Sequence, residues 1–430
     1  MDRNDAQRII DLAVSRATAD DTVVHLSVGE SASTRFSNNA ISQNMATQDQ
    51  ALTVQSAFGN KVGSAYVSDL SEEAVREAVR RAEAIASAAE PDTEYMPPVE
   101  PQTYPEILAY ADRTAAASPA DRAEAVRQAV DEARSIGAEA AGSIATSGGV
   151  NAIGNSRGLF GFQASTDFAL TVTIMTGDSS GWAERSGVDI GDLDAAAVAR
   201  RACRKASLGR SPRTIDAKPY TVILEPAAAC EMLEFLLWNM DAKAADEGRS
   251  AFVGKEGFPI GAPLVTIETR PDDPRAPLAP WSEGGEVSPH TVWVKDGVLR
   301  TLAYNRFYAR KSDKPFTDSL TALTMAGEDR PLDDLIASVD YGLLVTRFWY
   351  IRSVDPMQLL LTGMTRDGLF LIEKGEITGG VRNFRFNESP LRMLRNTQAL
   401  GVAEVTNVYT RSIVPPMLVR EFAFTSGTTF

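Results

Sequence analysis

Residues Lys218–Gly257 decide the fold of the second half of the chain, and they read KPYTVILEPAAACEMLEFLLWNMDAKAADEGRSAFVGKEG. Tyr220–Leu224 is a short apolar run with β-branched residues, which predicts a buried strand. Pro226 stands where the first turn of a helix tolerates proline, because the N–H that proline lacks would be unpaired there. No glycine then occurs before Gly248, and four apolar residues repeat at helical spacing: Leu233, Leu236, Leu237 and Met240. The stretch predicts a strand, a turn and one long buried helix.

The first half of the chain predicts antiparallel strands backed by helices. Asn38-Asn39 is a turn signal between two short strands, and Gly59-Asn60-Lys61 suits the tip of a hairpin. Pro119–Ile136 predicts a helix with Ser118 as its N-cap. The second half is rich in strand patterns, including a hairpin over Val292–Tyr304 with Asp296-Gly297 at its tip. The fold class is therefore α+β: an N-terminal antiparallel sheet with helices in 1–215, and a β-rich C-terminal domain with a buried central helix in 216–430.

A weak internal repeat runs through the first half. Ala51–Val54 recurs as Ala169–Val172, and Leu70–Val75 is echoed by Leu193–Val198. One explanation is duplication of a unit of strands and a helix. The other is coincidence between two ordinary units of that kind, and the sequence leaves both open.

Composition excludes several classes of function. The net charge is −14, and no cluster of Lys and Arg stands out. Direct binding to DNA or to an anionic membrane is not expected, because both need a basic surface. No apolar run approaches the roughly 20 residues that span a bilayer. We therefore expect a cytoplasmic protein.

Histidine and cysteine are too few and too scattered to predict a zinc site in this chain. The sequence contains His25, His290, Cys203 and Cys230 as its only residues of these two types. Protein zinc sites mostly use His and Cys ligands, usually with some of them close in sequence. The two cysteines lie in Ala-rich helical segments, so we expect buried free thiols.

A family resemblance becomes visible at the central helix. Leu-Glu-Pro at 224–226, a helix, and G-x-S-x-F-x-G-x-x-G at 248–257 resemble the TldD/PmbA family, whose subunits are called TldD and TldE. The resemblance covers nearly the whole chain. It is carried by the order and spacing of five further segments: TRFSNNAISQ (34–43), VKDGVL (294–299), YGLLVT (341–346), FLIEKGEITGGVRN (370–383) and PPMLV (415–419).

The resemblance also shows what this chain lacks. Active members carry His-Glu-x-x-x-His on this helix and a distant Cys, which together hold zinc. Those three helix positions correspond to Glu234, Phe235 and Asn239, and the segment 408–412 has no cysteine. We therefore expect no metal site and no cofactor in this chain, with zinc in a TldD-like partner.

Two interpretations of the changed positions remain open. Glu234 and Asn239 could hold a harder ion if the helix bends, because five residues separate them by roughly 140° on an ideal helix. The alternative is a polar stripe of Glu231, Glu234 and Asp241 opposite the leucines. Phe235 cannot act as a base in either case.

Candidate substrate-lining residues lie on the helix and in the turn after it: Glu234, Asn239, Arg249 and Ser250. Arg249 has a second interpretation as the ion-pair partner of Asp246 or Glu247 at the helix end. The sequence does not distinguish a cleft-lining arginine from a structural one.

The resemblance implies a non-catalytic TldE-like subunit that pairs with a TldD-like, His-Glu-x-x-x-His subunit. Such pairs act on unfolded or linear peptides, and this subunit would complete the substrate chamber and stabilise its partner. The alternative is a homodimer that binds peptides without cutting them. A third hypothesis is a serine hydrolase, because Gly177–Gly181 matches G-x-S-x-G with Ser179 as the nucleophile.

Overall fold

The computed structural model describes residues 1–318 and 322–428. The α-helices, numbered in chain order, are α1 (Arg3–Arg16), α2 (Glu72–Ala88), α3 (Asp112–Ala115), α4 (Pro119–Ser135), α5 (Ala195–Leu208), α6 (Pro226–Leu237), α7 (Ala242–Asp246), α8 (Arg306–Ser312), α9 (Leu332–Ala337) and α10 (Pro390–Arg395). The strands are β1 (Asp21–Ser37), β2 (Ala40–Phe58), β3 (Lys61–Val67), β4 (Glu139–Asn155), β5 (Phe160–Thr176), β6 (Ser179–Gly187), β7 (Pro219–Leu224), β8 (Ile267–Thr269), β9 (Thr291–Lys295), β10 (Val298–Leu299), β11 (Thr324–Met325), β12 (Tyr341–Asp355), β13 (Leu360–Glu373), β14 (Glu376–Gly380), β15 (Phe384–Glu388), β16 (Thr397–Leu400), β17 (Glu404–Asn407), β18 (Arg411–Val414) and β19 (Met417–Gly427). This content confirms the predicted α+β class.

The first six strands form one antiparallel sheet in the order β3-β2-β1-β4-β5-β6. Two three-stranded units meet at its centre, where β1 pairs with β4. Leu26 pairs with Leu52 in one unit, as Ile144 pairs with Leu170 in the other. A helix follows each unit, α2 after β3 and α5 after β6. This arrangement fits the predicted repeat, while the duplication itself stays a prediction.

β1 and β2 are much longer than the short strands predicted on either side of Asn38-Asn39. They contain 17 and 19 residues. The turn itself is as predicted, since both asparagines have a left-handed φ, of 51° and 59°. The length of the strands cannot be predicted from the sequence, because Ala40–Gln50 is exposed throughout and has no alternation of apolar and polar residues.

Helices cover one face of this sheet. Val24 and Leu52 pack under α1 and α2, and Ile144 and Leu170 pack under α4 and α5. Ser118 caps α4 as predicted, and its backbone N–H in turn donates to the Asp121 carboxylate at 2.8 Å. The opposite face has the intervening side chains of each strand, because side chains alternate across a strand. That face is turned toward the second half of the chain.

The second half contains a barrel and a smaller mixed sheet. The barrel is closed in the order β12-β7-β19-β15-β13, because β13 pairs back with β12. The smaller sheet has the order β10-β9-β8-β11-β18-β17. α6 packs against β12 of the barrel and against β17 and β18 of the smaller sheet. The predicted buried central helix therefore lies between the two.

The prediction of one long helix is wrong for the second half of that stretch. α6 ends at Leu237, and the short helix α7 follows only from Ala242. Long-range bonds end the helix, since Ala303 donates from its N–H to the carbonyl of Met240 and accepts from Ala242. Asp241 then caps α7 through a bond from the N–H of Ala244. A local pattern of good helix formers cannot reveal a partner that lies sixty residues away in sequence.

The sequence also predicts a helix over Pro390–Leu400 that ends at Gly401, and this prediction is too long. α10 ends at Arg395, and Thr397–Leu400 forms β16 on the edge of β19. The hairpin over β9 and β10 turns at Asp296-Gly297 as predicted, with φ values of 53° and 76°. Within the described ranges, none of the helices combines the length and the apolar content that crossing a membrane requires.

Candidate functional site

The central helix buries two carboxylates that the sequence places on a polar stripe. Glu231 and Glu234 are only 4% and 2% exposed. Asp241 is the exposed member of the three, and it caps α7. The stripe therefore does not form a solvated face, and two acidic side chains lie inside the molecule.

Glu234 joins α6 to the segment before β18. Its Oε1 accepts a bond from the backbone N–H of Thr410 at 3.4 Å, and the thiol of Cys230 lies 3.9 Å from the same oxygen. Burial raises the pKa of Glu234 to about 7, although these bonds oppose the shift. The side chain is thus poised between its neutral and charged forms near neutral pH.

Glu231 is held from the opposite side by β12. Its Oε2 accepts a bond from the backbone N–H of Phe348, and the guanidinium of Arg347 lies 3.7 Å from its Oε1. Burial raises the pKa of Glu231 to about 8 despite that cation. The guanidinium also stacks 4.7 Å above the ring of Trp182 from β6, which brings the N-terminal sheet to the same place.

Further charges join the N-terminal sheet to the second half. Glu184 of β6 accepts bonds from the hydroxyl of Thr406 at 2.5 Å and from the N–H of Asn407 at 3.2 Å. Its pKa is raised, chiefly by burial. Lys205 of α5 is buried 2.5 Å from Glu225, the residue that precedes α6. These contacts fix how α6 faces the sheet.

The remaining predicted site residues make local contacts. The side-chain N–H of Asn239 donates to the carbonyl of Phe235 at 2.7 Å, so it caps the end of α6. Ser250 is buried, and its hydroxyl donates to the carbonyl of Asn239 at 2.7 Å. Arg249 is exposed and pairs with Glu247, one of the two partners suggested by its position. Their role in lining a substrate stays a prediction.

A cavity of about 690 Å³ lies on the helix-free face of the N-terminal sheet, and we call it the sheet cleft. It is lined chiefly by Ser27–Ser31, Ser147–Asn151, Ser165–Asp167, Pro277–Leu278 and Thr410–Arg411. Its floor consists mainly of small and polar side chains. Thr410 lines the sheet cleft and also bonds to Glu234, so that carboxylate lies directly behind the cleft wall.

Arg411 closes the same end of the sheet cleft. It forms an ion pair with Asp167 and donates to the carbonyl of Gly187 at 3.0 Å. Burial lowers the pKa of its guanidinium to about 10. The arginine thus ties β18 to β5 and β6 across the end of the cleft.

The zinc that the resemblance implies does not fit the side chains at its predicted positions. Phe235 offers no donor atom, and the amide N–H of Asn239 points back to the helix carbonyl. Glu234 and the thiol of Cys230 are neighbours at 3.9 Å, but they offer two donors, and neither Phe235 nor Asn239 adds a third. Across residues 1–318 and 322–428, no three His, Cys, Asp or Glu side chains converge as a metal site.

Ser179 is not arranged as a nucleophile. It begins β6 in the hairpin that follows β5, and its hydroxyl contacts Thr176 and donates to the carbonyl of Ala206. His25 lies within β1, and His290 contacts Glu268 at 2.5 Å. The triad that the serine hydrolase hypothesis needs is therefore not assembled in the described part of the chain.

Sequence comparison matches most of the chain to three known domains. Residues 24–86 match the model of the PmbA/TldA metallopeptidase domain 1, residues 97–209 match its central domain, and residues 217–426 match its C-terminal domain. The chain belongs to the TldD/PmbA family. The resemblance seen at the central helix is thereby confirmed.

Individual relatives are similar over their full length. A protein of Escherichia coli O157:H7 named Metalloprotease PmbA is 23% identical over 431 residues, which cover 95% of this chain and 93% of that protein. The crystal structure of TldE from Thermococcus kodakarensis superposes with a TM-score of 0.88 at 18% identity, covering 98% of this chain and all of that one. A protein of Thermotoga maritima MSB8 described as a candidate modulator of a DNA gyrase gives a TM-score of 0.86 at 18% identity, with 98% and 99% coverage. At these identities the structures show a shared fold.

Several residues around Glu234 carry no local signal in the sequence. In the sequence, 408–412 stands out only as a segment without a cysteine, yet Thr410 bonds to Glu234. Glu184 and Arg347 lie in ordinary strand patterns and reach the site only through the packing of β6 and β12. The family spacing predicts Glu234 as a site residue, but its neighbours come from distant elements.

Proposed function

We propose that this TldD/PmbA-family chain is a non-catalytic, TldE-like subunit of a heterodimeric zinc metallopeptidase that acts on unfolded or linear peptides. A TldD-like partner supplies the zinc and the catalytic groups. This chain completes the chamber that holds the peptide, and it stabilises its partner. The proposal includes a cytoplasmic location, in keeping with two free cysteine thiols.

The proposal rests on the contacts that the side chains make at the three motif positions of the central helix. A zinc peptidase needs ligands that converge on the metal and a carboxylate that activates its water. Glu234 is engaged by Thr410, Phe235 packs its ring against Trp238 at 4.9 Å, and Asn239 caps the helix. Each of the three side chains has a structural contact in place of a catalytic one.

The sheet cleft supports the peptide-binding part of the proposal. Its floor follows the extended strands β1, β4 and β5, and Gly29 and Gly149 pair across the first two of them. Small side chains leave room for a chain to lie on the sheet, and the hydroxyls of Ser27 and Ser165 can bond to its backbone. The cleft therefore has the shape and chemistry for an extended peptide.

The proposal is tested by producing the chain alone and together with a family homologue that has His-Glu-x-x-x-His. We expect the isolated chain to bind no stoichiometric zinc and to cut no unstructured peptide. The co-purified pair should contain zinc and should show peptidase activity that a chelator removes. A matched control pair, in which the motif glutamate of the homologue is changed to Gln, should assemble but not cut.

Three results would decide against the proposal. Stoichiometric zinc on the isolated chain, or chelator-sensitive cleavage by it, would make this subunit catalytic. A stable homodimer that binds peptide and ignores the homologue would favour the non-proteolytic alternative. Full activity of the homologue without this chain would remove the need for a companion subunit.

A further inference from the structure

The edge strand β2 leaves a long row of backbone groups without a neighbouring strand. β3 pairs with β2 only between Leu52 and Phe58. Beside Ala40–Gln50, the described residues place no strand on that side. All eleven residues of this free edge are exposed. At about 3.3 Å per residue, the free edge is roughly 36 Å long.

The corresponding edge in the other half of the sheet is covered by the chain itself. β6 pairs with β5 only from Phe168 onward. Before that point, the N–H of Thr166 donates to the carbonyl of Ala109 at 2.8 Å. The side chain of Gln163 donates to the carbonyl of Leu278 at 3.1 Å. The two halves share one strand arrangement, and they differ in whether this edge is covered.

The free edge has one bulge, at Ser42, because Arg35 and Phe36 of β1 pair with Gln43 and Ile41. From Gln43 onward the strand has few of the features that protect edge strands from pairing. Proteins usually guard exposed edges with charges, prolines or bulges. The segment reads AISQNMATQDQ, in which Asp49 is the single charged residue and no proline or glycine occurs. Ile41 and Met45 are 48% and 47% exposed. A long, nearly uncharged strand of this kind is suited to a partner strand.

We propose that Ala40–Gln50 is the seam with the partner subunit, whose equivalent strand adds to this edge in antiparallel pairing. The inference rests on the proposed function, which supplies a partner of the same fold. Any chain with this fold has the same strand at the edge of its sheet. Two such edges, related by an approximate two-fold axis, are complementary because each offers alternating donors and acceptors to the other.

The position of the seam explains how a companion subunit completes the chamber. Asp49 and Gln50 line the sheet cleft, and Met45 and Thr47 line an adjoining cavity of about 280 Å³ on the same face. A strand added beyond β2 extends the floor of the cleft and places partner side chains beside it. A peptide substrate bound at this edge would lie next to the cleft instead of in it, which favours the partner as the occupant.

The test introduces lysines on the free edge, because charged side chains on an edge strand oppose pairing with another strand. The double variant Ile41→Lys/Met45→Lys replaces two exposed side chains, so the isolated chain should keep its circular dichroism spectrum and its Tm. We expect the yield of the co-purified pair with the His-Glu-x-x-x-His homologue to fall at least tenfold. Met175→Lys is the matched control, because Met175 is 37% exposed on β5 and already has β4 and β6 on its two sides. The single variant Asn44→Lys repeats the test if the double variant does not fold.

The outcomes separate the seam from the proposed function. If the wild-type chain does not co-purify with the homologue, the proposed function fails and the seam with it. If the wild-type pair forms and the edge variants form it equally well, the seam alone is wrong. A homodimer that the edge charges break, but that excludes the homologue, overturns the choice of partner. Edge variants that keep the pair and lose only peptide binding would assign the edge to the substrate.

Discussion

The backbone N–H of Thr410 donates to Oε1 of Glu234 at 3.4 Å, across 176 positions of sequence. The resemblance puts the first zinc ligand of active relatives at Glu234, and their cysteine in the segment that contains Thr410. The structure makes these two places neighbours at the end of the sheet cleft. A hydrogen bond therefore joins the two places that the resemblance identifies, and their correspondence to the zinc ligands of active relatives stays a prediction.

Glu234 should make the protein less stable as the pH rises. Its pKa is raised from 4.5 to about 7 in the folded state, so the folded chain holds a proton that the unfolded chain has lost between those values. The stabilisation is complete below about pH 4.5 and disappears as the pH rises through about 7. The shift corresponds to about 3 kcal/mol at most. Glu234→Gln should raise the free energy of unfolding at about pH 8 and change it little at about pH 5, measured by urea denaturation.

Glu247→Gln is the control with the opposite sign. Its hydrogen bond to Arg249 lowers the pKa of Glu247, so its contribution is present above the ordinary pKa and is lost as the pH falls. Removing this exposed carboxylate should therefore cost a little stability at about pH 8. Identical pH profiles for the wild type and Glu234→Gln would contradict the buried position of Glu234.

Lys205 should stabilise the packing of the N-terminal sheet against α6. Its ammonium lies 2.5 Å from Glu225 and 3.0 Å from the carbonyl of Trp182, away from solvent. Among the described residues, Lys205→Met leaves the buried carboxylate of Glu225 with Arg201, at 3.8 Å, as its remaining ion-pair partner. We expect a loss of about 3–5 kcal/mol in the free energy of unfolding. The double variant Lys205→Met/Glu225→Gln should recover much of that loss.

The exposed pair of Arg127 and Glu124 is the comparison for this experiment. Both side chains are at least half exposed, so Arg127→Met should change stability little. If the single variant Lys205→Met is as stable as Arg127→Met, the buried pair of Lys205 and Glu225 contributes nothing to the free energy of unfolding.

Local chemistry in the sequence is sufficient for the starts of elements but not for their ends. Pro226 begins α6, Ser118 caps α4, and Asp296-Gly297 turns a hairpin, each for reasons that lie within a few residues. The end of α6 at Leu237 depends on bonds to Ala303, and the span of β1 and β2 depends on pairing with each other. Such long-range partners cannot be derived from one stretch of sequence.

The same limit applies to the candidate site. The family spacing predicts a functional position at Glu234, and the sequence offers Asp246 or Glu247 as the partner of Arg249, of which the structure shows Glu247. The burial of Glu231 depends on Arg347 and Phe348 of β12, which approach α6 only in the folded barrel. A polar stripe on a helix looks the same in sequence whether it faces solvent or a buried cation.

Both cysteines should be inert in the folded chain. Burial raises the pKa of Cys203 to about 11 and that of Cys230 well above its usual value, so neither forms the reactive thiolate near neutral pH. A chromogenic disulfide reagent at about pH 8 should titrate neither thiol in the native protein and both after denaturation. Ser135→Cys, at an exposed position near the end of α4, should react at once. Fast native reaction of Cys230 would contradict its burial in the core.

Filling the sheet cleft should block peptide binding without unfolding the protein. Ser165 lies on the cleft floor and pairs across the sheet with Gly149, which has no side chain, so Ser165→Trp has space to project into the cavity. In the pair whose homologue carries Gln at its motif glutamate, we expect Ser165→Trp to weaken binding of a labelled unstructured peptide at least tenfold by fluorescence anisotropy. Met175→Trp, farther along the same strand at a 37% exposed position, should bind as the wild type does. If both tryptophan variants bind equally well, the peptide lies elsewhere and this face of the sheet is not the chamber wall.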